Sequence, residues 1–207
     1  MPKQEPDFPV PEDPEEKRQF TNSLTVTILV FEALIGLAGL AGGAWVGVSW
    51  GYFLTVRPAY LLLGTGAGII MFLIHLVLIF PGGEKNPFYR WIYKPFSQAL
   101  IKPLGLLGFE DIILISLISG FAEEIMFRGF LQTRFNIVAA SLIFGLIHIW
   151  GKKALPYAAY AVAMGFYLGG LFLYTNNLWV PILAHAVNNL LGLVMIKLGY
   201  TPKISSD

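Results

Sequence analysis

The stretch FAEEIMFRGF, Phe121–Phe130, sets Glu123, Glu124 and Arg128 inside a run that is otherwise apolar enough for lipid. The surrounding segment, roughly residues 112–133, has the length of a transmembrane helix, which needs about 20 mostly apolar residues. Each charge at mid-bilayer costs on the order of 2.5–3.5 kcal/mol. Helical geometry sorts the three. Residues four apart share a face, and Glu before a cation at i, i+4 is the favourable order. Glu124 and Arg128 fit this order, so they are read as neutralising each other. Glu123 points about 100° away, because a helix turns once per 3.6 residues. It must find its partner on another helix. The competing reading is a purely structural charge cluster.

The bulk composition agrees with a membrane protein. Of 207 residues, 56% are hydrophobic and only 13% charged, whereas an ordinary soluble domain carries about a quarter charged residues. Mean hydropathy is +0.65. A net charge of +1 gives no electrostatic case for nucleic acid. The chain has no cysteine, which removes disulfides, thiolate catalysis and zinc–cysteine sites and leaves the redox compartment undecided.

Working outward from the opening stretch, the spacing predicts an all-α polytopic membrane protein with about six transmembrane helices and one interfacial segment. The spans are residues 24–49, 59–80, 112–133, 136–150, 155–174 and 178–196. TNNLWVP separates the last two. Residues 1–19, rich in Pro and acid, are expected to be a disordered tail ahead of a transmembrane domain over 20–203. EKNPFYRWIYKPFSQALIKPLG mixes aromatic, basic and proline residues, a composition suited to the headgroup region.

Six spans place both termini on one side. With the N-terminus inside, the inner segments hold eleven Lys and Arg, and the outer loops hold only Arg57 and Arg134. That bias assigns both termini to the cytoplasmic side. Glycines recur every four residues at Gly39, Gly43 and Gly47, at Gly64 and Gly68, and at Gly165 and Gly169. Small residues at this spacing let helices approach closely in lipid. They are read as packing within one bundle rather than as a dimer interface.

Ionisable residues inside a membrane point to function. Besides the opening three, they are Glu32, His75, His148 and His185, with Asn188 and Asn189 beside them. In SLIFGLIHIW, Phe144 and His148 share a face. In ILAHAVNNLLG, His185 and Asn189 share a face, and Asn188 is turned partly aside. Taken singly, each histidine could be a packed residue with one hydrogen bond. As a set, an unpaired carboxylate, two histidines and an amide supply a general base, a second acid/base and donors for a developing oxyanion. No Ser–His–Asp arrangement is evident, which favours an activated water over a covalent nucleophile.

EEIMFR, FGLIH and HAVNN match, in order and spacing, an EExxxR, FxxxH and HxxxN pattern. The chain thereby resembles the CPBP family of intramembrane proteases, also called the CAAX prenyl endopeptidase type II or Abi family. The motif-bearing core runs over about residues 110–199. The resemblance implies a helical endopeptidase with a polar cavity, acting on a peptide or membrane-protein substrate in the lipid bilayer. By likeness, Glu123 and His148 activate the water, and His185 and Asn189 hold the oxyanion. Glu124, Arg128 and Phe144 support the site. Two mechanisms stay open, one glutamate-dependent and one using a divalent metal such as zinc. Glu123, His148 and His185 would be the ligand candidates for the metal, although no HExxH is present. A non-catalytic membrane scaffold or immunity-type protein, and a proton relay, are the alternatives to an enzyme. Glu32 is unpartnered in sequence, either protonated or paired across the bundle. His75 lies outside the motifs and is read as structural.

Overall fold

The computed structural model describes residues 10–79, 81, 85–149, 151 and 154–200. Among these the regular structure is all helical, without strands. Six helices carry the fold: α1 Pro14–Trp45, α2 Pro58–Ile79, α3 Phe109–Glu124, α4 Ile137–Ile147, α5 Leu155–Thr175 and α6 Trp179–Lys197. The helix continues past α3 as a π-helix, Ile125–Gln132, and a last turn, Thr133–Phe135. A run of short π- and α-helical turns from Tyr89 to Gly105 occupies the expected interfacial segment. It packs Tyr89 and Tyr93 against Ile79.

Four helices, α1, α2, α5 and α6, are long and apolar enough to cross a membrane. The two remaining expected spans fall on the charged α3 and the short α4. At 1.5 Å per residue, the 11 residues of α4 reach only about 16 Å. The perimeter is lined by exposed large apolar side chains, among them Leu34, Leu62, Val77, Leu117, Leu142 and Leu173. Such a surface suits lipid and not water.

The start of α1 corrects the expected tail. Residues 14–19 are helical, while residues 1–9 lie outside those described. The reason is local chemistry. The Asp13 side chain accepts from the Glu15 and Glu16 backbone N–H groups at 2.9 and 3.1 Å. Pro14 stands at the first helical position, and Glu15 and Glu16 face the positive end of the helix dipole. The other end is corrected too. α1 stops at Trp45, and Gly47 takes φ +79° in the turn that follows. Gly47 therefore serves the turn, with nothing within 4 Å of a Cβ placed there.

The remaining glycines of the predicted rows lie at helix contacts within the chain. A Cβ on Gly64 or Gly68 would stand 2.7 Å from the carbonyl oxygens of Val180 and Ala184, so α2 lies directly on the α6 backbone. Gly39 of α1 lies as close to the backbone of Met126. Gly165 and Gly169 of α5 meet Ser141 and Ile137 of α4. In lipid the drive for such contacts is van der Waals packing rather than release of water, so backbone proximity matters. α6 packs against α2, α3 and α5, while α4 packs against α5 and the π-helix. The three motifs converge there.

Candidate active site

The first motif lies at the junction of α3 and the π-helix. Glu124 ends the α-helix, and Arg128 lies within the wider turn. The predicted pairing is present: Arg128 Nη1 donates to Glu124 Oε1 at 2.8 Å, with both side chains fully buried. The same oxygen accepts from His185 Nδ1 at 2.9 Å. Arg128 Nη2 donates to the Gly165 carbonyl at 3.0 Å. One carboxylate therefore ties α3, the π-helix and α6 together, and the guanidinium extends the tie to α5. Spacing alone revealed the Arg128 bond but not the His185 bond, which depends on how α6 sits against α3.

Phe144 fills the space between these groups. Its ring lies 4.7 Å from the Arg128 guanidinium. It lies 4.8 Å from the His148 ring and 5.9 Å from the His185 ring. The phenylalanine of the second motif is thus the apolar wall shared by the guanidinium and both histidines.

His148 caps the C-terminus of α4, and its Nδ1 lies 2.7 Å from the Phe144 carbonyl oxygen. A carbonyl can only accept, so Nδ1 carries the proton and Nε2 is the basic nitrogen of the neutral ring. The same reasoning holds for His185, whose Nδ1 faces a carboxylate. Donation from its Nε2 as well requires the doubly protonated ring. Asn189 Nδ2 donates to Ser119 Oγ at 3.0 Å, which holds the amide in place and leaves its second N–H uncommitted.

Glu123, His148, His185 and Asn189 all line one cavity of about 140 Å³, with Phe144 in its wall. A water needs on the order of 10–15 Å³ of such space, so the cavity holds several. Glu123 and His185 are buried, while His148 and Asn189 are half-buried. A larger cavity of about 220 Å³ adjoins it and shares His75, Tyr157, Asn188 and Asn189. Its remaining lining is apolar and aromatic, with Phe72, Phe96, Leu104, Leu193 and Ile196.

Three expectations change in detail. Among the described residues, Glu123 and His148 share no hydrogen bond; they face one cavity from opposite helices. Glu123 instead meets Glu32 of α1, carboxyl to carboxyl. His75 is hydrogen-bonded through Nδ1 to the Tyr160 hydroxyl at 3.0 Å, as a structural histidine would be, yet it also borders both cavities. A catalytic zinc needs three protein ligands and a water. No three His, Asp or Glu side chains among the described residues converge in that way. The set therefore does not fit a metal among the described residues.

The fold and site define a helical, membrane-embedded protein with an ionisable cluster enclosed in its bundle. A family model described as Type II CAAX prenyl endopeptidase Rce1-like matches residues 106–191, a stretch that holds all three motifs. Two curated proteins of Bacillus subtilis (strain 168) are similar. "Uncharacterized protein YpbD" is 40% identical over 76 residues, which cover 37% of this chain and 40% of that protein. "Putative membrane peptidase YdiL" is 37% identical over 92 residues, which cover 41% of this chain and 36% of that protein. The chain thus spans about two fifths of the length of the curated relatives it matches. No solved structure matches it.

Proposed function

We propose that the chain is an intramembrane endopeptidase that hydrolyses a peptide bond with a water activated by Glu123 and His148. The observation that carries this reading is the shared cavity. Glu123, His148, His185 and Asn189, from three helices, line one water-sized space in a lipid-facing bundle. Glu124, by contrast, holds both Arg128 and His185 through its Oε1.

In this mechanism the Glu123 carboxylate takes a proton from water as the water oxygen attacks the scissile carbonyl carbon. His148 Nε2 accepts the water's other hydrogen bond and orients it. The carbonyl oxygen becomes an oxyanion, which accepts from the uncommitted Asn189 N–H and from the protonated His185 ring. The C–N bond then breaks, and the proton held by Glu123 passes to the leaving amine. The substrate is a peptide or membrane-protein segment. The adjoining apolar and aromatic cavity would take its apolar side chains. The Lys and Arg distribution supports a cytoplasmic location for both termini.

The test is a comparison of membrane proteomes from cells carrying wild-type or Glu123→Ala protein. New protein termini should appear with the wild type and vanish with the variant. Cleavage of the same sites by purified Glu123→Ala at the wild-type rate would overturn the mechanism.

A further inference from the structure

Glu32 lies in the middle of α1, outside all three motifs, and is 6% exposed. It should not survive there as a lone charge. The helix packing explains where it points. Residues 32, 36 and 39 follow one stripe of α1. Gly36 approaches Ala122, with 3.2 Å between an added Cβ and the Ala122 Cβ, and Gly39 lies on the Met126 backbone. This stripe brings α1 onto the junction of α3 and the π-helix, where Glu123 stands. The two carboxyls lie within hydrogen-bonding reach of each other. Glu32 Oε2 and Glu123 Oε2 are both buried with no other donor facing them among the described residues. Two carboxylates cannot satisfy each other. One carboxylic acid and one carboxylate can, through a single shared proton.

We propose that Glu32 is the proton-holding partner of Glu123: Glu32 keeps the proton and donates it in a hydrogen bond, so that Glu123 remains the ionised base. The buried pair then carries one negative charge instead of two. The hydrogen bond also fixes the rotamer of the carboxylate that faces the water. When Glu123 takes the water's proton, the pair holds two protons and is neutral. When Glu123 passes that proton to the leaving amine, the pair returns to its starting state. The other charged or titratable groups around it are Glu124 and Arg128 on its own strand of helix, His75 from α2, His148 from α4, Tyr157 and Tyr160 from α5 and His185 from α6. Glu124 is held through its Oε1 by Arg128 and His185, and Glu32 is the carboxyl in hydrogen-bonding reach of Glu123. Glu32 is a positioning residue, acting on the substrate only through Glu123.

This role rests on the endopeptidase reading, and its test separates the two. The full-length chain, purified in detergent at neutral pH, is compared with Glu32→Gln by difference infrared spectroscopy in the carbonyl stretch of a protonated carboxylic acid. The wild type should show one such buried band, and Glu32→Gln should lack it. A merely structural glutamate would alter thermal stability without owning this band. In parallel, Glu32→Leu should lower kcat on a cleaved peptide by about 10²-fold, with KM nearly unchanged. Glu32→Gln still donates from its amide and should restore most of that loss. No band in the wild type, a band that persists in Glu32→Gln, or a wild-type kcat in Glu32→Leu would each overturn the proposal. If Glu123→Gln cleaved at the wild-type rate, the endopeptidase reading would fall, and the infrared comparison would still decide whether Glu32 holds the proton.

Discussion

His185 Nδ1 and Glu124 Oε1 lie 2.9 Å apart, joining the third motif to the first across α6 and α3. Because Arg128 shares that oxygen at 2.8 Å, removing the carboxylate strands a buried guanidinium and a buried imidazole together. Breaking a buried ion pair from one side costs about 3–5 kcal/mol. Glu124→Ala is therefore expected to destabilise the detergent-solubilised protein by at least that order, read by thermal or denaturant unfolding. Glu123→Ala should cost far less, because Glu32 then simply stays protonated. Equal stability of Glu124→Ala and wild type would show that the tie is not structural.

The glycine contacts make a steric prediction with an internal control. Gly68 lies on the Ala184 carbonyl, where a Cβ would stand 2.7 Å away, whereas Gly66 on the same helix has nothing within 4 Å. Gly68→Val must push α2 off α6, and overpacking of this kind costs about 1–3 kcal/mol or more. Gly66→Ala should be neutral or gain about 0.5–1 kcal/mol from helix propensity. The yield of folded, monodisperse protein and its melting temperature compare the two.

Much of this site is legible in the sequence, and the illegible part has a common cause. The Glu124–Arg128 pair follows from spacing, since Glu124 stands at the last α-helical position before the π-helix. The convergence of His148, His185 and Asn189 follows from the need to satisfy polar groups inside lipid. The partner of Glu123 does not follow. Whether it meets His148 or Glu32 depends on the register between α1 and α3, which the Gly36 and Gly39 contacts fix. The π-helix is likewise silent in composition. Its wider turn shows in the Thr133 hydroxyl, which bonds to the carbonyl of Arg128 five residues back at 3.2 Å. The early start of α1 was readable in the Asp13-Pro14-Glu15-Glu16 cap, although the acidic, Pro-rich composition around it argued for disorder.

Phe144 offers a test of the apolar wall. Its ring faces Arg128 at 4.7 Å and meets Phe127 edge-on at 4.9 Å. A desolvated cation–π contact contributes about 2 kcal/mol. Phe144→Leu keeps the hydrophobicity but loses the π face. It should lower stability by about 1–2 kcal/mol and reduce kcat more than it changes KM, because both histidines lose a neighbour that fixes their rings. Unfolding curves and steady-state cleavage measured on the same preparation would separate these effects.

The chain has no cysteine, so its sidedness can be read with single introduced thiols. Arg18 and Arg90 are exposed and belong to segments assigned to the cytoplasmic side, while Arg57 and Arg134 are exposed in segments assigned to the other. Arg57→Cys and Arg134→Cys should react with a membrane-impermeant maleimide added to intact cells. Arg18→Cys and Arg90→Cys should react only after the membrane is opened or inverted. The Lys and Arg bias sets orientation through short loops close to the spans, and each of these four positions is near a helix end. Labelling of Arg134→Cys with the Arg18→Cys group would mean that α3 does not cross.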